Sequence, residues 1–196
     1  RLELQYAGES YSSATISLAG SGASGGATAN IANGAVKYIE MATNGATHFT
    51  TTGFAQSGTA STIKLAASDT QPDDFYNGMR ITVYTGTGYG NTGVIADYVA
   101  STKTCTIQKE NGTAGFDVFV NSGLSAASSF DTTSGYEIEP RVTLSGGGSP
   151  TRDALARAVV ENQQVSKILI LDGGAGYSSA PTVTITDPNA STVATA

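Results

Sequence analysis

Histidine and cysteine occur once each in this sequence, as His48 and Cys105, and tryptophan does not occur at all. One of each cannot complete a four-ligand Cys/His zinc site, and a lone cysteine excludes an intramolecular disulfide. Cys105-Thr-Ile107 alternates as a strand does, so Cys105 reads as a small buried side chain rather than a reactive thiol. Any Ser-His-Asp arrangement would have to be built around His48 alone. Charge is scarce too: 13% of residues are charged, 10 basic against 16 acidic, for a formal net charge of −6. Without a Lys/Arg cluster the chain lacks the phosphate contacts that nucleic-acid binding needs. No apolar run approaches the roughly 18 residues of a membrane span, and no secretory leader is recognisable. The chain opens at Arg1, already inside a strand-like phrase, and so reads as a processed product or part of a longer polypeptide.

What is abundant is small: 24 glycines with many Ala, Ser and Thr. Threonine and valine alternating with small residues suit extended strands, and low charge with β-branched side chains argues against a disordered acidic tail. The 196 residues suffice for one large or two small domains. A phrase recurs. Ile168-Leu-Ile-Leu-Asp-Gly-Gly-Ala-Gly-Tyr177-Ser-Ser-Ala-Pro181-Thr-Val-Thr-Ile185 reads as strand, glycine turn, tyrosine, proline and strand, and Leu2 to Leu18 repeats it without the proline. Partial copies run from Ile39 to His48 and from Tyr136 to Leu144. The repeat positions are Gly8, Tyr11, Gly45, Tyr136, Pro140, Gly174, Tyr177 and Pro181. Such self-similarity predicts a scaffold built by repetition. Glycine permits positive φ, a tyrosine packs its ring on the sheet while its hydroxyl reaches a backbone partner, and proline stops pairing at a strand's start.

The expected fold is all-β. Repeated strand–glycine turn–strand units over 1–57 and 140–196 form a β-sandwich-like domain, and 58–139 is an inserted small β-barrel or sandwich module. Gly20 to Gly26 reads as a loop, and Asn33-Gly34 between two alternating runs predicts a hairpin turn. In the insert, runs near 62–65, 79–84, 94–98 and 104–107 are separated by turn-rich segments, notably Gln71 to Gly78 and Thr85 to Gly90. One passage carries two patterns. From Ser149 to Gln164, Ser149 as N-cap, Pro150 and a face of Ala154, Leu155, Ala158 and Val159 suggest a helix. Ala154, Ala156, Ala158 and Val160 also alternate, and the passage fills the slot of the alternating Ala27-Thr-Ala29-Asn-Ile31, which favours strand.

Few residues suggest chemistry. Asp69, Asp73 and Asp74 are calcium candidates by the grouping of hard oxygens on a turn, against a solvated polar corner. Glu137 and Glu139 share one side of a strand about 7 Å apart, as glycosidase carboxylates do, and read better as exposed edge charges that discourage aggregation. His48 aligns with Tyr177 and reads as structural filler. Thr85 to Gly90 lacks the Gly-Lys-Ser/Thr of a phosphate loop. Asn111-Gly-Thr and Asn189-Ala-Ser are glycosylation sequons in a secretory setting only. No catalytic, cofactor-binding or firm metal-binding residue is expected, nor any cofactor.

Gly-Ala-Gly-Tyr177-Ser-Ser-Ala-Pro181-Thr-Val-Thr-Ile, with an upstream Ala-x-Ala-x-Ala run, resembles the glycine-tyrosine-proline β repeats of virion structural proteins of large tailed phages, found also in some bacterial surface proteins. Asp74-Phe-Tyr76-Asn-Gly78-Met-Arg-Ile81, Gly86-Thr-Gly88-Tyr-Gly90, Ile95-Ala-Asp97-Tyr98 and Thr132-Thr-Ser134-Gly-Tyr136-Glu-Ile look like another module of the same proteins. The resemblance implies a non-enzymatic virion part of tail, baseplate, fibre or capsid-decoration type. Its partners would be copies of itself, as a homo-oligomer, or neighbouring virion or surface proteins, with neither nucleic acid nor membrane bound. The alternatives are a bacterial extracellular fibre or adhesin subunit at the cell surface, and a carbohydrate-binding β module stacking sugars on Tyr76, Tyr84, Tyr89 and Tyr98.

Overall fold

The structure is a computed structural model that describes residues 27–41, 46–118 and 124–192. The opening phrase with Gly8 and Tyr11, the Gly20 to Gly26 loop and Gly45 lie outside the described residues. The chain is all-β, with antiparallel sheets. In chain order the first strands are β1 (Ala27–Ala32), β2 (Ala35–Met41), β3 (Ala46–Thr47), β4 (Thr51–Phe54), β5 (Ser57–Thr59) and β6 (Thr62–Lys64). Next come β7 (Arg80–Thr85), β8 (Asn91–Val99), β9 (Thr104–Gln108), β10 (Asp117–Val118), β11 (Ser129–Phe130) and β12 (Gly135–Glu139). The last are β13 (Arg141–Gly146), β14 (Leu155–Glu161), β15 (Gln164–Asp172), β16 (Pro181–Thr186) and β17 (Ser191–Thr192). They form two compact units, one of the described residues within 1–49, 140–186 and 190–196, the other of those within 50–139 and 187–189.

In the first unit a sheet runs β1-β2-β15-β14-β13-β16, and β3 pairs with β17. Two-residue turns with both φ positive close its hairpins: Asn33 (56°) and Gly34 (80°) fold β1 onto β2, and Asn162 (52°) and Gln163 (62°) fold β14 onto β15. Their twist matches that of paired strands, which is why this class of turn dominates short hairpins. The passage with two patterns is strand from Leu155 to Glu161. Ser149 has φ of 65°, which no helix N-cap adopts, and the small Ala154, Ala156 and Ala158 face inward. They pack with Val36, Ile39, Val142, Ile168, Tyr177 and Val183 in the core of this unit. Tertiary pairing wins over local helix propensity because a stripe of three alanines buries little surface on a lone helix but lets a sheet face pack closely. Pro181 opens edge strand β16, where its missing N–H costs no ladder bond, and Pro140 separates β12 from β13.

In the second unit the sheet runs β11-β5-β6-β9-β8-β7-β12-β4, with β10 added on β8. Ile63, Ile81, Val83, Ile95, Ile107 and Ile138 are fully buried in its core, each fixed on that face by the two-residue period of its strand, and Leu65, just after β6, is buried with them. Phe116 and Phe130 add a ring contact at 4.7 Å between centroids. Residues 50–57, which the sequence groups with the repeat-built domain, lie in this unit, and β4 pairs with β12 over Thr51 to Phe54.

Candidate functional site

Two tyrosines of the recurring phrase can be followed atom by atom. Tyr177 is fully buried, and its hydroxyl accepts the amide of Ala154 at 2.8 Å. Its ring lies where a side chain on Gly147 or Gly174 would be: a Cβ there would meet ring carbons at 2.4 and 2.7 Å, and both glycines have positive φ, 86° and 67°. The ring is clamped between two loops that also exchange backbone bonds, Ser178 N to Gly147 O (3.0 Å) and Thr151 N to Ala175 O (2.9 Å). Tyr136 shares part of the arrangement in the other unit: its ring lies over Gly53, its partner across the β12–β4 ladder, and its hydroxyl accepts Ala66 N at 3.0 Å. Burial holds both hydroxyls protonated. The Tyr136 pKa is pushed up to about 12, chiefly by desolvation and against the pull of the Ala66 amide, and that of Tyr177 is raised for the same first reason.

The acidic corner is built differently from the calcium reading. Asp69 accepts the hydroxyls of Tyr76 and Tyr98, each at 2.5 Å, one on each carboxylate oxygen. Asp73 caps the amide of Ala100 at 2.6 Å, and Asp74, with φ of 64°, accepts Asn77 Nδ2 at 2.7 Å. The three carboxylates thus diverge into separate turn bonds, and among the described residues no group of three His, Cys, Asp or Glu side chains is placed to hold a metal ion. Tyr76 and Tyr98 are each 1% exposed, their rings edge to face at 4.9 Å, so neither offers a stacking surface to a sugar. That part of the carbohydrate expectation is corrected: both rings are buried and both hydroxyls are bonded to Asp69. Desolvation first, then the Asp69 bond, raises both tyrosine pKa values.

The expectation that Glu137 and Glu139 are exposed edge charges is also corrected. They lie on β12, an interior strand between β7 and β4, and Glu139 is fully buried. Glu139 sits opposite Arg80 in the β12–β7 register. Arg80 is itself fully buried, donates to Thr92 Oγ1 at 3.2 Å and forms an ion pair with Glu110. Arg80, Thr82, Thr92, Glu137 and Glu139 share one polar sheet face. No local signal announces it, because Arg-Ile-Thr-Val reads as an ordinary half-exposed strand.

The remaining candidates fall in place singly. His48 is buried, and its amide donates to Gln163 O at 2.6 Å. Cys105 is buried as a free thiol, its pKa raised by desolvation. The Thr85 to Gly90 segment is a turn with three glycines at positive φ, and Gly90 N donates to Val83 O at 2.9 Å. Gly86 is obligatory, since a Cβ there would lie 1.9 Å from Thr133 O. Of the sequons, Asn111 is exposed, whereas the Asn189 amide is tied to Phe75 O at 2.7 Å. Sequence reasoning missed Phe54, which stands out only because β4 is a sheet edge. Compared with family models, curated proteins and solved structures, the chain gives no match.

Proposed function

We propose that the chain is a non-enzymatic structural protein of a phage virion that works by assembling with copies of itself or with neighbouring virion proteins. One observation carries the reading. In both phrase tyrosines that the structure describes, a buried ring sits where a glycine leaves no side chain and the hydroxyl takes a distant backbone amide: Tyr177 takes Ala154 and Tyr136 takes Ala66. A device of that kind sets geometry and performs no chemistry, which suits a building part. Among the described residues β4 and β16 end their sheets, and sheet ends are compatible with subunit packing.

The reading is tested by the native mass and location of the protein. Light scattering of the purified chain is expected to give a discrete oligomer, and antibodies raised against it are expected to decorate particles in electron micrographs. A chain that stays monomeric at high concentration and labels no particle ends the proposal.

A further inference from the structure

Phe54, Tyr84 and Tyr89 are 57%, 38% and 56% exposed, three of the six large apolar side chains left exposed among the described residues. Phe54 and Tyr84 come from separate strands and approach each other at one end of the second unit's sheet, and Tyr89 stands on the turn that follows β7. Phe54 ends β4 opposite Gly135, and Gly135 is opposite Thr85. The place where a Gly135 side chain would begin lies 3.3 Å from both Phe54 Cε1 and Tyr84 Cε2, so the two rings flank that glycine. The turn after β7 returns Gly90 to Val83, so exposed Tyr89 stands on the turn that follows Tyr84's strand. Exposed hydroxyls rim the rings. Thr85 Oγ1 donates to Thr133 O at 3.3 Å, and Thr87 Oγ1 and Thr133 Oγ1 donate to Asp131 at 2.7 and 2.6 Å.

We propose that this surface binds a neutral polysaccharide, its rings stacking on the apolar faces of successive sugars and the threonine hydroxyls bonding to sugar hydroxyls. Aromatic side chains give large contact area at low conformational cost, and a few polar groups then orient the ligand. Charge selects the occupant. Residues 50–56, 82–90 and 130–137 contain no Lys or Arg, and the acids there are Asp131 and Glu137. An anionic polymer or nucleic acid is repelled, and a second copy docking face to face would set acid against acid. The proposal replaces the buried Tyr76 and Tyr98 by Phe54, and it stands independently of the assembly reading.

The full chain is run in native gels containing dextran, mannan, laminarin or xylan, with alginate as the anionic comparison. Retardation by at least one neutral polymer and none by alginate is expected. Phe54→Ala, Tyr84→Ala and Tyr89→Ala are each expected to weaken it about two- to tenfold, while Leu169→Ala, in the first unit, leaves it unchanged. Nitration of the unmutated protein is a second measurement free of folding effects: the retarding polymer is expected to shield Tyr84 and Tyr89. Absence of retardation in every neutral gel overturns the proposal. So does retardation undiminished in the triple alanine variant, or a dimer that dissociates when Phe54 is removed.

Discussion

Tyr177 holds its loops through one hydroxyl and one ring, and the two can be separated by mutation. Tyr177→Phe keeps the ring and leaves the buried Ala154 amide without its acceptor, a loss of about 1–3 kcal/mol. Urea denaturation is expected to show a lower midpoint at unchanged slope, with a smaller shift for Tyr136→Phe, whose partner amide is only part-buried. Gly147→Ala acts on the ring instead, since the added methyl meets it and the φ of 86° disfavours any side chain. The same burial sets an alkaline limit. The unfolded chain ionises its tyrosines near 10.0, whereas Tyr136 in the folded protein holds its proton to about 12, and the pKa values of Tyr76, Tyr98 and Tyr177 are raised as well. The unfolded state then binds fewer protons than the folded one. Stability is intact below the unfolded value and falls as pH rises through the window between the two. Tyrosinate absorbance followed with unfolding is expected to appear for these four only as the fold opens. Ionisation of all four in a protein still fully folded would contradict the geometry.

At the scale of strands, β7 and β12 show how a polar face is accommodated inside a sheet. Arg80 is fully buried, and its partner Glu110 is 31% exposed on the segment between β9 and β10. Arg80→Ala removes the cation from this face and is expected to cost about 3–5 kcal/mol, with faster hydrogen exchange in β8 and in residues 108–118. Arg80→Met retains the bulk and lets Glu110 turn to water, so its cost is expected to be markedly smaller. Equal losses for the two variants would mean that charge, not packing, holds the segment. The hairpins are simpler elements. Asn33-Gly34 was legible because its backbone requirement is local, while Asn162-Gln163 makes the same kind of turn without glycine and carried no comparable signal.

For the whole molecule, two units with separate cores predict separable unfolding. Ala158, fully buried in the first unit, has no room and no partner for a carboxylate. Ala158→Asp is expected to abolish protection of β13 to β16 in hydrogen exchange while the amides of β7 to β9 stay protected. Loss of protection in both sets would show one cooperative body. Strand character and the Asn33-Gly34 turn followed from the sequence alone, because alternation and positive φ are short-range demands written into neighbouring residues. The tyrosine–glycine contacts, Tyr177 on Gly147 and Tyr136 on Gly53, instead join residues far apart in the chain. Which strands became neighbours did not follow either. Thr50 bonds Ile138 across 88 positions, β4 joins β12, and Glu139 becomes an interior residue. Likewise Tyr76 and Tyr98 are buried while Tyr84 and Tyr89 are exposed. A period of two says that side chains alternate between faces. Only the pairing of distant strands decides which face is covered, and with it which acids are buried and which rings meet the solvent.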